Sequence, residues 1–156
     1  MYRINFEKIY TDQKYCLCGC QKVISEENWG IKVSIEGSVD GIQECLEIIN
    51  LFENEMRELS QKTLTCKYCG HCCENAPEVS EKEIEYFSKL FPELASNYKL
   101  IKPGSPCLHG GKDKAKCLFP LEARPLQCRI LFCQANIVGF EKLYTVLAEY
   151  LGWSKL

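Results

Sequence analysis

The run TCKYCGHCCENAP, residues 65–77, places Cys66, Cys69, Cys72 and Cys73 within eight residues, a third of the twelve cysteines in the chain. So much sulfur in so short a stretch constrains the local structure before any helix or strand is considered. Thiolates are soft ligands that select zinc or iron–sulfur centres, and C-x-x-C is the first half of both kinds of site. A zinc ribbon would repeat that pair after a loop and close a tetrahedron around one ion. Here the pair is extended to C-x-x-C-x-x-C-C, and the later Cys107, Cys117, Cys128 and Cys133 are spread singly.

C-x-x-C-x-x-C is the spacing that wraps a 4Fe–4S cluster in bacterial ferredoxins, where a more distant cysteine supplies the remaining ligand. Cys72 and Cys73 are adjacent, so their side chains point in different directions and do not fill two corners of one small tetrahedron. One of the two serves another metal atom or the packing, and a vicinal disulfide is the bland alternative. The eight cysteines between residues 66 and 133 suffice for two four-thiolate centres or for one centre with spare thiols. Gly70 lies between closely spaced ligands, where the backbone must turn sharply and glycine can take positive φ.

Cysteine makes up about 8% of the residues, near the level of a disulfide scaffold in a short secreted chain, so the compartment decides how the thiols are read. The N-terminal stretch MYRINFEKIYTDQKY has no apolar core region and no small-residue cleavage site, and no segment reaches the roughly 18 apolar residues of a spanning helix. The expectation is a cytoplasmic protein with no membrane partner, in which thiols stay reduced and bind metal or do redox work. A net charge of −2 with scattered Lys and Arg gives no electrostatic footprint for nucleic acid. The lysine-rich stretch from Lys102 to Lys116 reads as a loop, solvated or anion-binding.

The remaining pattern predicts an α+β fold: a small, mostly helical domain with a short N-terminal antiparallel strand pair and an irregular cysteine-rich metal-binding region. Tyr2, Ile4 and Phe6 alternate with polar residues, as do Ile31, Val33 and Ile35, which is the period of half-buried strands. From about Asp40 to Gln61, Ile42, Cys45, Leu46, Ile49, Phe52, Met56 and Leu59 keep helical spacing. Cys45 is thereby a small core residue rather than a ligand. A second helix starts at Ser80, whose spacing to Glu83 matches a capping box, and Pro92 interrupts it. The last covers about Gly139 to Leu151, with Gly152 as its stop. The chain between these two helices reads as irregular. One domain is expected over 1–156, with strands and long helix in 1–62, a cysteine-rich core in 63–134 and the C-terminal helix in 135–156.

A buried centre held by four thiolates carries negative charge that needs hydrogen bonds or cations nearby. LEARPLQCRILFC supplies Arg124 and Arg129 beside Cys128 and Cys133, either as cofactor-binding cations or as solvated surface residues. Cys16, Cys18 and Cys20 form a separate group, CLCGC, whose alternate spacing places all three on one face of an extended strand. They suggest an additional metal site or a lid over the main one, against packing cysteines at a hairpin end. His71 and His109 each lie near cysteines, but with this thiol supply neither is needed as a ligand.

CKYCGHCC, followed by PCLHGGKDKAKCLFPLEARPLQCRILFC, resembles the CxxCxxCC family of zinc- or iron-chelating domains, also called the YkgJ-type family, which is related to the cysteine-rich part of flagellin lysine N-methylases. The likeness runs from Cys66 to Cys133, with the octet, the proline before Cys107 and the RPLQCR element in the family's order. It implies Cys66, Cys69, Cys72, Cys73, Cys107, Cys117, Cys128 and Cys133 as metal ligands. CLFPLEARP departs from the family in having Phe and Leu where a more polar, Tyr-containing segment is common.

Three functions follow as expectations. The first is a metalloprotein with an iron–sulfur cluster, 4Fe–4S favoured, in a redox or cluster-dependent enzymatic role toward a protein or small-molecule substrate. The second is a structural zinc module for protein interaction, since zinc can supply about 10–16 kcal/mol to a small metallo-domain. The third is metal storage, against which the ordered helices count. Kinship with the methylases suggests methyl transfer, yet the chain has neither a glycine-rich S-adenosylmethionine loop nor the C-x-x-x-C-x-x-C of radical enzymes.

Overall fold

The computed structural model describes residues 1–10, 29–62, 77–103, 119–130 and 137–155. Two nine-residue strands, β1 (Tyr2–Tyr10) and β2 (Trp29–Gly37), pair antiparallel with Tyr2 opposite Gly37 and Tyr10 opposite Trp29. The alternation in the sequence sets their faces: Ile31, Val33 and Ile35 are buried, while Lys32, Ser34 and Glu36 are exposed. In this register Ile4 lies opposite Ile35 and Phe6 opposite Val33. On the outer face Arg3 lies opposite Glu36 and Glu7 opposite Lys32.

Helix α1 (Ile42–Lys62) follows and buries Cys45, Ile48, Ile49, Phe52 and Met56 along one stripe. Cys45 is fully enclosed there, and burial pushes its thiol pKa up to about 12, as fits a core residue with an inert thiol. Helix α2 (Glu81–Leu90) begins with the capping box expected at Ser80 and Glu83, and Phe91 closes it just before Pro92 opens a 3₁₀ turn. Helix α5 (Phe140–Leu151) buries Leu143, Tyr144, Val146, Leu147, Ala148 and Leu151 and packs against β2. These elements share one hydrophobic cluster that also takes in Phe87, Tyr98, Phe119 and Trp153.

Where it is described, the stretch expected to be irregular holds short elements of regular structure. It contains the 3₁₀ turn Pro92–Leu94, helix α3 (Ala95–Lys99), a 3₁₀ turn at Leu121–Ala123, helix α4 (Leu126–Ile130) and strand β3 (Ile137–Val138). Helices of five residues contain too little of a 3.6-residue period to be read, and they are held by tertiary contacts rather than by propensity. Strand β3 adds a third member to the sheet, parallel to β2, with Ile137 opposite Ile31 and Val138 opposite Lys32. A parallel neighbour needs a long crossover, and the helices α1 to α4 supply it.

Gly139 joins β3 to α5 with φ of 88°, and a Cβ there would overlap the Val33 carbonyl oxygen of β2. Gly152 has φ of 81° and open space around it. Alanine at either position is expected to cost about 1–3 kcal/mol through backbone strain. Gly139→Ala should lower the urea midpoint clearly further than Gly152→Ala, because only the former also forces the α5 start away from β2. Equal midpoints would mean that this approach is not a fixed contact.

Candidate metal centre

Of the cysteines expected as ligands, Cys128 lies within the described residues. Cys16, Cys18, Cys20, Cys66, Cys69, Cys72, Cys73, Cys107, Cys117 and Cys133 lie outside them, as do His71 and His109. Cys128 stands at the middle of α4, and its surroundings set what that segment can present.

Four of the five residues of α4 face inward. Leu126, Gln127, Arg129 and Ile130 are buried, whereas Cys128 is exposed. Each buried polar group in this turn is tied to a different part of the fold. The backbone N–H of Leu126 donates to Glu83 Oε1 on α2 at 2.9 Å. Gln127 accepts from the Glu78 N–H at 2.9 Å and donates through Nε2 to the Tyr144 hydroxyl of α5 at 3.0 Å. Arg129 donates through Nε to Glu53 Oε1 of α1 at 2.8 Å, through Nη2 to the same oxygen, and through Nη2 to Asn50 Oδ1 at 2.7 Å. A helix too short to persist alone is thereby clamped by three longer ones, and Cys128 is presented on a fixed base.

The approach to α4 is anchored as well. The Tyr98 hydroxyl donates to the Ala123 carbonyl, its ring lies 4.9 Å from that of Phe119, and half-buried Arg124 donates through Nε to the Phe119 carbonyl at 3.3 Å. Burial raises the Tyr98 hydroxyl pKa to about 12, so it remains a donor. Glu83 holds the whole junction together. It is fully buried, and besides Leu126 N its carboxylate accepts from the Ser80 N–H at 2.8 Å and from Trp153 Nε1 at 2.9 Å. Burial pushes its pKa up, against the lowering effect of those donors.

The other expected ligands lie on stretches outside the described residues. Cys107 and Cys117 belong to 104–118, which rejoins the described chain at Phe119, and Cys133 to 131–136, which leaves directly from Ile130. The four octet cysteines belong to 63–76, which begins at the end of α1, the helix that holds Arg129, and ends next to Pro77 and the Gln127-bound Glu78. No group of three or more His, Cys, Asp or Glu side chains suited to a metal ion occurs among the described residues.

The two arginines part company. Arg129 is buried and donates through Nε and Nη2 to Glu53 and Asn50, so it is no solvated surface residue. Arg124 meets the Phe119 carbonyl through Nε, and among the described residues no partner is seen for its terminal nitrogens. Sequence reasoning missed Asn50, Glu53 and Gln127 and saw Glu83 only as a capping residue. One signal was present: Glu53 sits at the spacing of Ile49 and Met56 on the apolar stripe of α1, where a carboxylate requires a buried donor.

Compared with known proteins, the chain matches no family model, no curated protein and no solved structure. No helix among the described residues is long and apolar enough to cross a membrane.

Proposed function

We propose that this chain is a cytoplasmic metalloprotein of the CxxCxxCC type, carrying a thiolate-ligated iron–sulfur centre in a redox or cluster-dependent enzymatic role. The observation that carries the reading is the octet CKYCGHCC together with the exposure of Cys128 on a helix whose remaining residues are buried. A thiol exposed on a clamped helix suits a ligand better than a packing residue.

The donor set fits the group. Cys66, Cys69 and Cys72 would supply successive ligands at ferredoxin-like spacing, with one of the single cysteines completing the set. Cys128 and Cys133 are five positions apart, so the chain keeps their Cα atoms within about 18 Å of each other. Bound iron–sulfur would supply one-electron exchange or an open coordination position for a substrate. The chain's own contribution is to hold ligands in place: Glu53 and Asn50 fix Arg129, Glu83 fixes the start of α4, and Gln127 ties the helix to the segment that follows the octet. Arg124 is the cation suited to offsetting thiolate charge.

Protein purified without oxygen should be brown, contain iron and acid-labile sulfide, and absorb broadly in the visible. Cys69→Ser should remove most of that absorbance. Oxygen must be excluded, because a damaged cluster site can take up zinc. A colourless anaerobic preparation with stoichiometric zinc and no sulfide would replace the iron reading with the structural-zinc one.

A further inference from the structure

We propose that β1 is a self-association edge through which two copies of this chain join their sheets antiparallel, centred on Asn5. Among the described residues β1 pairs with β2 alone, and none of them pairs with its other side. Such an edge invites pairing unless its side chains forbid it.

The phase of that edge follows from one hydrogen bond. The Ser38 N–H donates to the Met1 carbonyl at 3.1 Å, one position beyond the Tyr2–Gly37 pair. Odd-numbered residues of β1 therefore turn their backbone groups toward β2, and the even-numbered Ile4 and Phe6 turn theirs toward the open edge. In an antiparallel pair of β1 strands, even residues must then exchange the hydrogen bonds with even residues. Among the central registers that satisfy this, the one with Asn5 opposite Asn5 sets Ile4 opposite Phe6 of the second copy, each pair exchanging both of its backbone hydrogen bonds. It also sets Arg3 opposite Glu7 twice, at the positions between the hydrogen-bonded pairs, where facing side chains come closest. Moving the centre to Ile4 or to Phe6 sets Asn5 against Arg3 or Glu7 instead, and the charge match disappears.

The charges extend across the joined sheet. Within one copy Arg3 faces Glu36 and Glu7 faces Lys32. A row through the seam then reads Glu36, Arg3, Glu7 and Lys32, the last two from the second copy, so signs alternate without a break. Arg3, Asn5, Glu7, Lys32 and Glu36 are all exposed. On the inner face, half-buried Ile4 and Phe6 gain apolar neighbours. A second copy thus supplies the backbone groups, the charges and the apolar side chains that this edge calls for.

Sedimentation equilibrium on the full chain tests the seam. The wild type should dimerise, and Arg3→Glu and Glu7→Arg, each alone, should raise the dissociation constant by about tenfold or more, because two attractive pairs become repulsive. Mixed in equal amounts the two variants should recover the dimer, since Glu then faces Arg at every seam position. Glu36→Arg disturbs the ladder inside one copy but not the seam, and should leave the dissociation constant unchanged. A monomeric wild type, a dimer indifferent to both seam variants, mixtures that stay monomeric, or equal dissociation by Glu36→Arg would each overturn the proposal.

Discussion

Glu53→Leu is expected to destabilise the protein by about 3–5 kcal/mol, more than any single apolar truncation at the surface could. Arg129 is 8% exposed, and its guanidinium has Glu53 as its charged partner and Asn50 as a neutral one. Leucine removes the carboxylate and leaves the arginine buried. An arginine cannot escape by losing its proton, so the whole cost of an uncompensated charge falls on the folded state. The effect should appear as a loss of roughly 10 °C in melting temperature or as an equivalent shift in urea midpoint. Glu53→Leu combined with Arg129→Leu should regain much of the loss, because burying two apolar groups in place of an ion pair is often neutral. If Glu53→Leu lowers stability by less than about 1 kcal/mol, water reaches Arg129 and the clamp on α4 is looser than its hydrogen bonds suggest.

That clamp also marks where the sequence stopped being readable. The strand pair and helices α1, α2 and α5 show their periods openly: Ile31, Val33 and Ile35 are buried as their alternation requires, and Ser80 forms the capping box that its spacing to Glu83 announces. Helix α4 has no such signature, because Leu126, Gln127, Arg129 and Ile130 are buried on all sides of a turn too short for a face. What makes it a helix is remote in sequence, namely Glu83, Tyr144, Glu53 and Asn50. The candidate ligands are chosen on a different kind of signal, since cysteine spacing is local and is read without reference to the fold. Arg129 shows the limit of that logic. An arginine beside a cysteine looks the same whether it serves the thiolate or a carboxylate on another helix, and only the carboxylate misplaced on the α1 stripe distinguishes the two.

Glu83→Met should be the other severe substitution, with an expected loss upward of about 3 kcal/mol, because the Ser80 N–H, the Leu126 N–H and Trp153 Nε1 all lose their acceptor in a site closed to water. The start of α2, the start of α4 and the chain after α5 would come apart together. A gentler variant reports on the charge. Burial holds the Glu83 pKa above its ordinary value of 4.5, so between that value and the raised one the folded protein keeps a proton that the unfolded chain has released. The contribution is fully present below the ordinary value and is lost as pH rises through the folded one. Other carboxylates add slopes of their own, but Glu83→Gln cancels only this one. The stability advantage of the wild type over Glu83→Gln, measured by urea unfolding at a series of pH values, should therefore shrink as pH rises from about 4.5. An advantage that grows with pH would mean that the three donors outweigh burial and that Glu83 acts as an ionised anchor.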